Sequence, residues 1–183
     1  TVRDGLVIAI GDGETTLDCR IGDRVHRTPI RVSQTQQERR WSFRNDVQSV
    51  LAKLGCNAGT CHGSKDGQNG FKLSLRGYDA LFDVRALTED LASRRVRVAS
   101  PADSLALLKA TNFAPHVGGE VTRVGEPAYE ILRRWIAAGA ELDLGAPEVT
   151  SIEIFPQNPV VQRIGDRQQV RILATYSDGA QRD

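Results

Sequence analysis

Two thiols and an imidazole fall within seven residues, Cys56-Asn57-Ala58-Gly59-Thr60-Cys61-His62. This cluster constrains the chain more than any other stretch. It follows directly on an amphipathic segment in which Val47, Val50, Leu51 and Leu54 recur at i, i+3, i+4 and i+7. That spacing predicts one apolar face of a helix. Asn45 is the expected N-cap and Gly55 the expected stop. A helix therefore delivers its C-terminal end into a Cys–Cys–His loop.

The order of these groups suits covalent haem attachment. Two thiols can add to the two vinyl groups of a haem, and the histidine after the second thiol is then tethered beneath the iron. The usual signature has two residues between the cysteines; here there are four. His62 is the expected proximal ligand. The chain has no methionine, which removes the usual distal ligand of high-potential c-type haems. His26, His116, a lysine or no ligand remain for the other face. His116 is favoured because it lies in the loop Ala114-Pro115-His116-Val117-Gly118-Gly119, which Pro stiffens on one side. Two rivals stay open. Cys56, Cys61, His62 and His116 form a Cys₂His₂ set for zinc, and Cys56 and Cys61 can form a disulfide across a loop.

Composition narrows the function classes. A net charge of +1 over 183 residues gives no field toward nucleic acid or a membrane surface. No run of about 18 apolar residues exists to span a bilayer. Three cysteines leave at least one outside any internal disulfide. The sequence shows neither a signal peptide nor an initiator Met, as expected of a processed or excised segment. No nucleophile–base pair and no phosphate-binding Gly-rich loop is present, so nothing points to an enzyme acting alone.

The flanks differ from the middle. Residues 1–33 read as β. The apolar run Leu6–Ile10 ends in Gly11-Asp12-Gly13, Leu17, Cys19 and Ile21 alternate, and Gly22-Asp23 turns into a segment where Ile30 and Val32 alternate. Cys19 is expected as a buried strand thiol and His26 as a surface residue. Residues 34–42 are a polar linker. Residues 43–146 carry further helices over Ala80–Leu91, from Ser100-Pro101, and from Pro127 to Gly139. Phe71, Leu73 and Leu75 alternate after two turn signals. Residues 147–183 return to β, with Ile152 and Ile154, then Val170, Ile172, Ala174 and Tyr176 in alternation, and Asp178-Gly179 as a turn. Too few strands remain in either flank to close a core.

Several motifs in order resemble the planctomycete-type cytochrome c domain. They are Gly55–Gly63, Gly70-Phe71-Lys72-Leu73-Ser74-Leu75-Arg76-Gly77-Tyr78-Asp79, Ser100–Leu105, Pro115-His116 and Trp135–Ala140. The resemblance covers about residues 43–142. It implies an α+β multidomain chain, in which a mainly α, class-I-like cytochrome c domain is flanked by partial β-sandwich segments. It also implies one covalent haem c and an extracytoplasmic, periplasmic location. Relatives often carry Met-Pro where this chain has Pro115-His116, so His116 inherits the distal iron position. Residues 149–183 look like the opening strands of a bacterial immunoglobulin-like group 2 domain, and 1–33 like the closing strands of another. The two pieces could complete one sandwich, within a chain or between two chains.

Around the iron ligands, Phe71, Phe113 and Trp135 are candidate haem walls, each with a plain core reading beside it. Arg94 and Arg95 are candidates to meet haem propionates, since guanidinium forks suit carboxylates; their alternative is a solvated basic face, and Arg76 is a similar candidate. The function expected is low-potential electron transfer by a His/His haem, to a redox partner or a neighbouring domain. A haem sensor for CO, NO or O₂ is the alternative, and a zinc or disulfide-stapled structural module the second alternative.

Overall fold

The computed structural model describes all residues except 4, 5 and 38. Glu38 of the expected linker thus lies outside the described residues. The chain divides into two compact units, Thr1–Arg40 and Trp41–Asp183.

In the first unit, β1 (Val2–Arg3) pairs antiparallel with β2 (Leu6–Val7). Strands β3 (Gly13–Ile21) and β4 (Arg24–Val32) form a long hairpin closed by Gly22-Asp23. The expected apolar run enters a strand only at Leu6–Val7; Ile8 still exchanges backbone hydrogen bonds with Thr1 at 2.8 and 2.9 Å, and residues 9 and 10 lie outside any strand. After β4 the chain is tied back by Asp12, whose carboxylate accepts the Gln34 and Thr35 N–H groups. Cys19, opposite His26 in the ladder, is exposed. This corrects the expectation of a buried thiol: the alternation is real, but neither face of the hairpin carries a closed core.

The second unit begins on a helix. Its first turn, Phe43–Val47, is a wide π-helical turn that runs on into α1 (Gln48–Lys53). Ser42, not Asn45, is the cap: its hydroxyl accepts the Asn45 N–H at 3.0 Å, and Asp46 accepts the Ser42 N–H in return. This reciprocal pairing satisfies two orphan donors. Gly55, at φ +77°, ends the helix as expected.

Further along come a 3₁₀ turn (Leu75–Gly77), α2 (Ala80–Thr88), the short α3 (Asp90–Ser93), a 3₁₀ turn (Pro101–Asp103), α4 (Leu105–Ala110) and α5 (Pro127–Ala137). The helix expected to reach Leu91 stops at Thr88. Leu91, Ala92 and Ser93 all take positive φ, between 55° and 58°, a left-handed turn that reverses the chain. Ser100-Pro101 opens only the 3₁₀ turn, and α4 starts after Ser104, whose hydroxyl accepts the Arg97 N–H. The Phe71–Leu75 alternation makes a single bridge, Gln68 to Phe71, since no neighbouring strand is there to pair with.

The core of this unit is set by the first and last helices. Phe43, Val47, Leu73, Leu107 and Ile136 are essentially inaccessible. Trp135 packs on Phe43 with ring centres 5.2 Å apart, and its indole N–H donates to Glu141 O. Each such side chain contributes roughly 1.5–3 kcal/mol by leaving water.

Strands β5 (Val149–Phe155), β6 (Arg171–Tyr176) and β7 (Gln181–Arg182) form one antiparallel sheet. Its apolar side chains are largely exposed. The sheet belongs to the same unit as the helices. Arg182 pairs with Asp46 at 3.1 Å, Arg44 with Glu148 at 3.1 Å, and Asn45 donates to Pro147 O. The N-terminal turn of the first helix is thus its anchor.

Candidate haem-binding site

The Cys–Cys–His loop is built as a knot of backbone hydrogen bonds. Beyond Gly55 the Cys56 N–H donates back to Leu51 O at 2.9 Å, closing the helix. Within the loop, Cys61 N–H donates to Ala58 O, His62 N–H to Cys56 O, and Gly63 N–H to Ala58 O. Residue 63 must be glycine. A Cβ there would sit 2.1 Å from Asn57 O, backbone that cannot move aside without undoing the loop. From outside, Leu73 N–H donates to His62 O and Arg76 N–H to Asn57 O. The Phe71–Tyr78 stretch therefore buttresses the loop, and Leu75 lies 3.6 Å from where a Gly59 Cβ would stand.

That buttress has its own anchor. Asp83, fully buried on α2, accepts the Ser74 N–H at 2.5 Å, the Ser74 hydroxyl at 2.8 Å and the Gln48 amide at 3.2 Å. Gln48 also donates to Gly77 O. A buried carboxylate survives only with such donors around it. The sequence reading missed Gln48, Ser74 and Asp83. Ser74 lies in the Leu73–Asp79 motif, but its partner is nine residues away and not marked by any local pattern.

His62 and His116 come together from two loops well separated along the chain. Their rings are nearly parallel, 9° apart, with centres 6.3 Å from each other. His62 Nδ1 lies 3.0 Å from Phe71 O, and His116 Nδ1 lies 2.8 Å from Gly119 O. A carbonyl can only accept, so Nδ1 is the donor in both rings, and in the neutral imidazole this leaves Nε2 with its lone pair. Backbone carbonyls fixing the Nδ1–H tautomer are the usual support of a metal-ligating imidazole. Burial lowers the His62 pKa below its ordinary value; the Phe71 carbonyl opposes this, and His116 and Arg95 add to it. His62 is therefore neutral, as a ligand must be.

The His116 ring is seated on backbone. A Cβ on Gly118 would fall 2.9 Å from His116 Cε1 and 3.3 Å from Nε2. Gly118 thus lets the chain pass directly against the ring. Lys109 Nζ donates to Pro115 O, and Ala114 N–H to Leu108 O, holding the loop onto α4.

The other expected residues divide. Phe71 packs on His62, ring centres 4.5 Å apart. Phe113 is 75% exposed and Val117 fully so, and both line an open recess of about 500 Å³ with Asn112, Pro115 and His116. Trp135 is a core residue against Phe43 rather than a wall beside the histidines. Arg94 is exposed. Arg95 is 5% exposed and turns inward, donating to Ala86 O at 2.8 Å and Gly70 O at 2.5 Å. Its guanidinium is committed to these carbonyls and lies 4.6 Å over the Phe71 ring, so it does not reach out to a carboxylate at a haem edge.

Both cysteines of the motif are free and half-buried. Burial, with a smaller contribution from nearby Cys61, pushes the Cys56 thiol up to about 11. Among the described residues no group of three or more His, Cys, Asp or Glu converges on a common metal position.

Two features fit a flat, largely apolar group with polar edges. Large apolar side chains next to His116 and beside the loop stand in solvent, which favours a covering ligand. Asn57 Nδ2, inside the motif, is buried and is the single buried side-chain donor without a partner among the described residues. Compared with protein-family models, curated proteins and solved structures, the chain matches none.

Proposed function

We propose that residues 43–146 form a c-type cytochrome domain that carries one haem c on Cys56 and Cys61, with His62 and His116 as axial ligands. The observation that carries this reading is the His62–His116 pair. A metal–imidazole bond is about 2 Å and the nitrogen lies about 1.1 Å from its ring centre, so two rings facing one ion span about 6 Å. The 6.3 Å separation of these near-parallel rings is close to this value.

Haem, when bound, supplies a one-electron ferric/ferrous couple. The chain supplies the rest. Cys56 and Cys61 hold the group covalently at the end of α1. Asp83, through Ser74, and the Phe71 and Gly119 carbonyls fix the imidazoles in the tautomer that ligates. With His62 and His116 both holding the group, no position would be left for a substrate at the metal, so the activity supported would be electron transfer between a donor protein and an acceptor or a neighbouring domain. Two imidazoles, with no methionine, favour a low potential. An extracytoplasmic location belongs to the same reading. No helix among the described residues is long and apolar enough to cross a membrane.

A second copy of the chain, pairing through the β segments of 1–33 and 147–183, is a partner this reading also proposes. Its check is the oligomeric state of the full chain by light scattering; a strict monomer removes it.

One observation favours the sensor reading as an alternative. The His116 loop is open to solvent on the side of the 500 Å³ recess, so a gas that displaces His116 has a way in. Replacing His116 with Ala and recording oxidised and reduced spectra tests the assignment. The expected result is an attached haem that turns high-spin and binds CO. An unchanged low-spin spectrum moves the distal position to another residue. Rapid CO binding by the unaltered protein favours the sensor over electron transfer.

A further inference from the structure

Arg95 is the one buried cation near the site among the described residues, where the sequence offers it as a propionate partner or a solvated charge. The left-handed turn Leu91–Ser93 brings it back beneath α2, where it reaches Ala86 O, nine residues earlier. Its second amine holds Gly70 O, the carbonyl next to the one that fixes His62. Its guanidinium covers one face of Phe71, and the Phe71 ring packs against the His62 imidazole. A guanidinium stays charged in proteins. The nearest carboxylate, Asp90, is 3.9 Å away and half exposed, so it offsets only part of this charge. Arg94 beside it is exposed and adds charge of the same sign.

We infer that Arg95 is a potential-setting residue on the proximal side, a buried positive charge one aromatic ring from His62 that favours the reduced state of the site. The inference rests on the His62/His116 haem reading. Reduction adds one electron and removes one positive charge from the site, and a nearby fixed cation stabilises that change in the low-dielectric interior. Arg95 therefore offsets part of the low potential that two imidazoles impose. It is a positioning residue as well, because the same fork holds the backbone that holds His62.

The test is a spectroelectrochemical titration, with soluble mediators as electron donors, of the full haem-loaded chain and two variants. Arg95→Gln removes the charge and keeps hydrogen-bonding ability. Arg95→Lys keeps the charge and loses the fork. The expected result is a lower midpoint for Arg95→Gln, about tenfold in the one-electron equilibrium or about 59 mV, with a low-spin spectrum retained and Arg95→Lys close to the parent. Equal midpoints for the parent and Arg95→Gln overturn the inference, as does an equal drop in both variants, which assigns the effect to geometry instead of charge. Where Arg95→Gln fails to fold, Asp90→Asn serves. Removing that carboxylate is expected to raise the midpoint, and an unchanged or lowered value overturns the inference. Failure of the haem reading is distinguishable, because the parent itself would then show no haem band.

Discussion

His116 rests against the backbone of Gly118, so closely that a single added methyl group would stand 2.9 Å from its Cε1. The orientation of the His116 ring is therefore constrained by a residue with no side chain. Its near-parallel alignment with His62 follows from that contact and from the Gly119 carbonyl.

Gly118→Ala should tilt or release the ring. The expected outcome in haem-loaded protein is a changed low-spin electron paramagnetic resonance signal or partial high-spin character, with the haem still attached. Gly145→Ala, where a Cβ meets nothing within 4 Å, is the control. A spectrum for Gly118→Ala that overlays the parent's would show that the contact does not orient the ring.

Burial keeps Cys56 a neutral thiol, with a pKa of about 11 against an ordinary 9.0. The raised value means that the thiolate is scarce until strongly alkaline pH. In haem-free folded protein at pH 8, alkylation of Cys56 should run roughly a hundredfold slower than in unfolded chain, and accelerate as pH approaches 11. Peptide-resolved labelling with iodoacetamide measures this. Equal rates in folded and unfolded protein would contradict the buried position.

Asp83 gathers three donors from two segments. Asp83→Ala leaves the Ser74 N–H and hydroxyl without their acceptor and removes one of the two acceptors of Gln48, and should cost about 3 kcal/mol of stability. The loss should appear in urea unfolding and as faster backbone exchange across Phe71–Tyr78. A change within 0.5 kcal/mol would show that water replaces the carboxylate.

Ala92 sits in the left-handed region at φ +58°, which costs an L-residue about 1–2 kcal/mol relative to glycine. Ala92→Gly should therefore stabilise the protein by up to about 1 kcal/mol, read from the midpoint of urea unfolding. Destabilisation would mean that the turn is not left-handed.

The parts legible in the sequence were those with local periodicity. Val47, Val50, Leu51 and Leu54 marked the first helix, Gly55 its end, and Pro127 the start of α5, because each signal lies within one or two turns of what it specifies. The cap was misread because Ser42 and Asn45 are both good capping residues, and the extra residue of the π-helical turn shifts the register. The stop of α2 at Thr88 was hidden because Leu91 and Ala92 are ordinary helix formers, yet both take positive φ. Arg95 reads as a propionate partner or a solvated charge because nothing local marks it as buried. Its partners, Ala86 O and Gly70 O, are backbone carbonyls that only the folded chain brings near. The pairing of His62 with His116 was legible from chemistry, but the tautomers depended on Phe71 and Gly119 carbonyls that no motif announces.

The central claim is that Cys56 and Cys61 carry a haem. Its most direct test is a peptide mass spectrum of the chain matured in a host with a haem-attachment system. The peptide spanning Cys56 to His62 should carry the mass of one haem on its two cysteines. An unmodified peptide, or one whose cysteines are joined only to each other, would contradict the account.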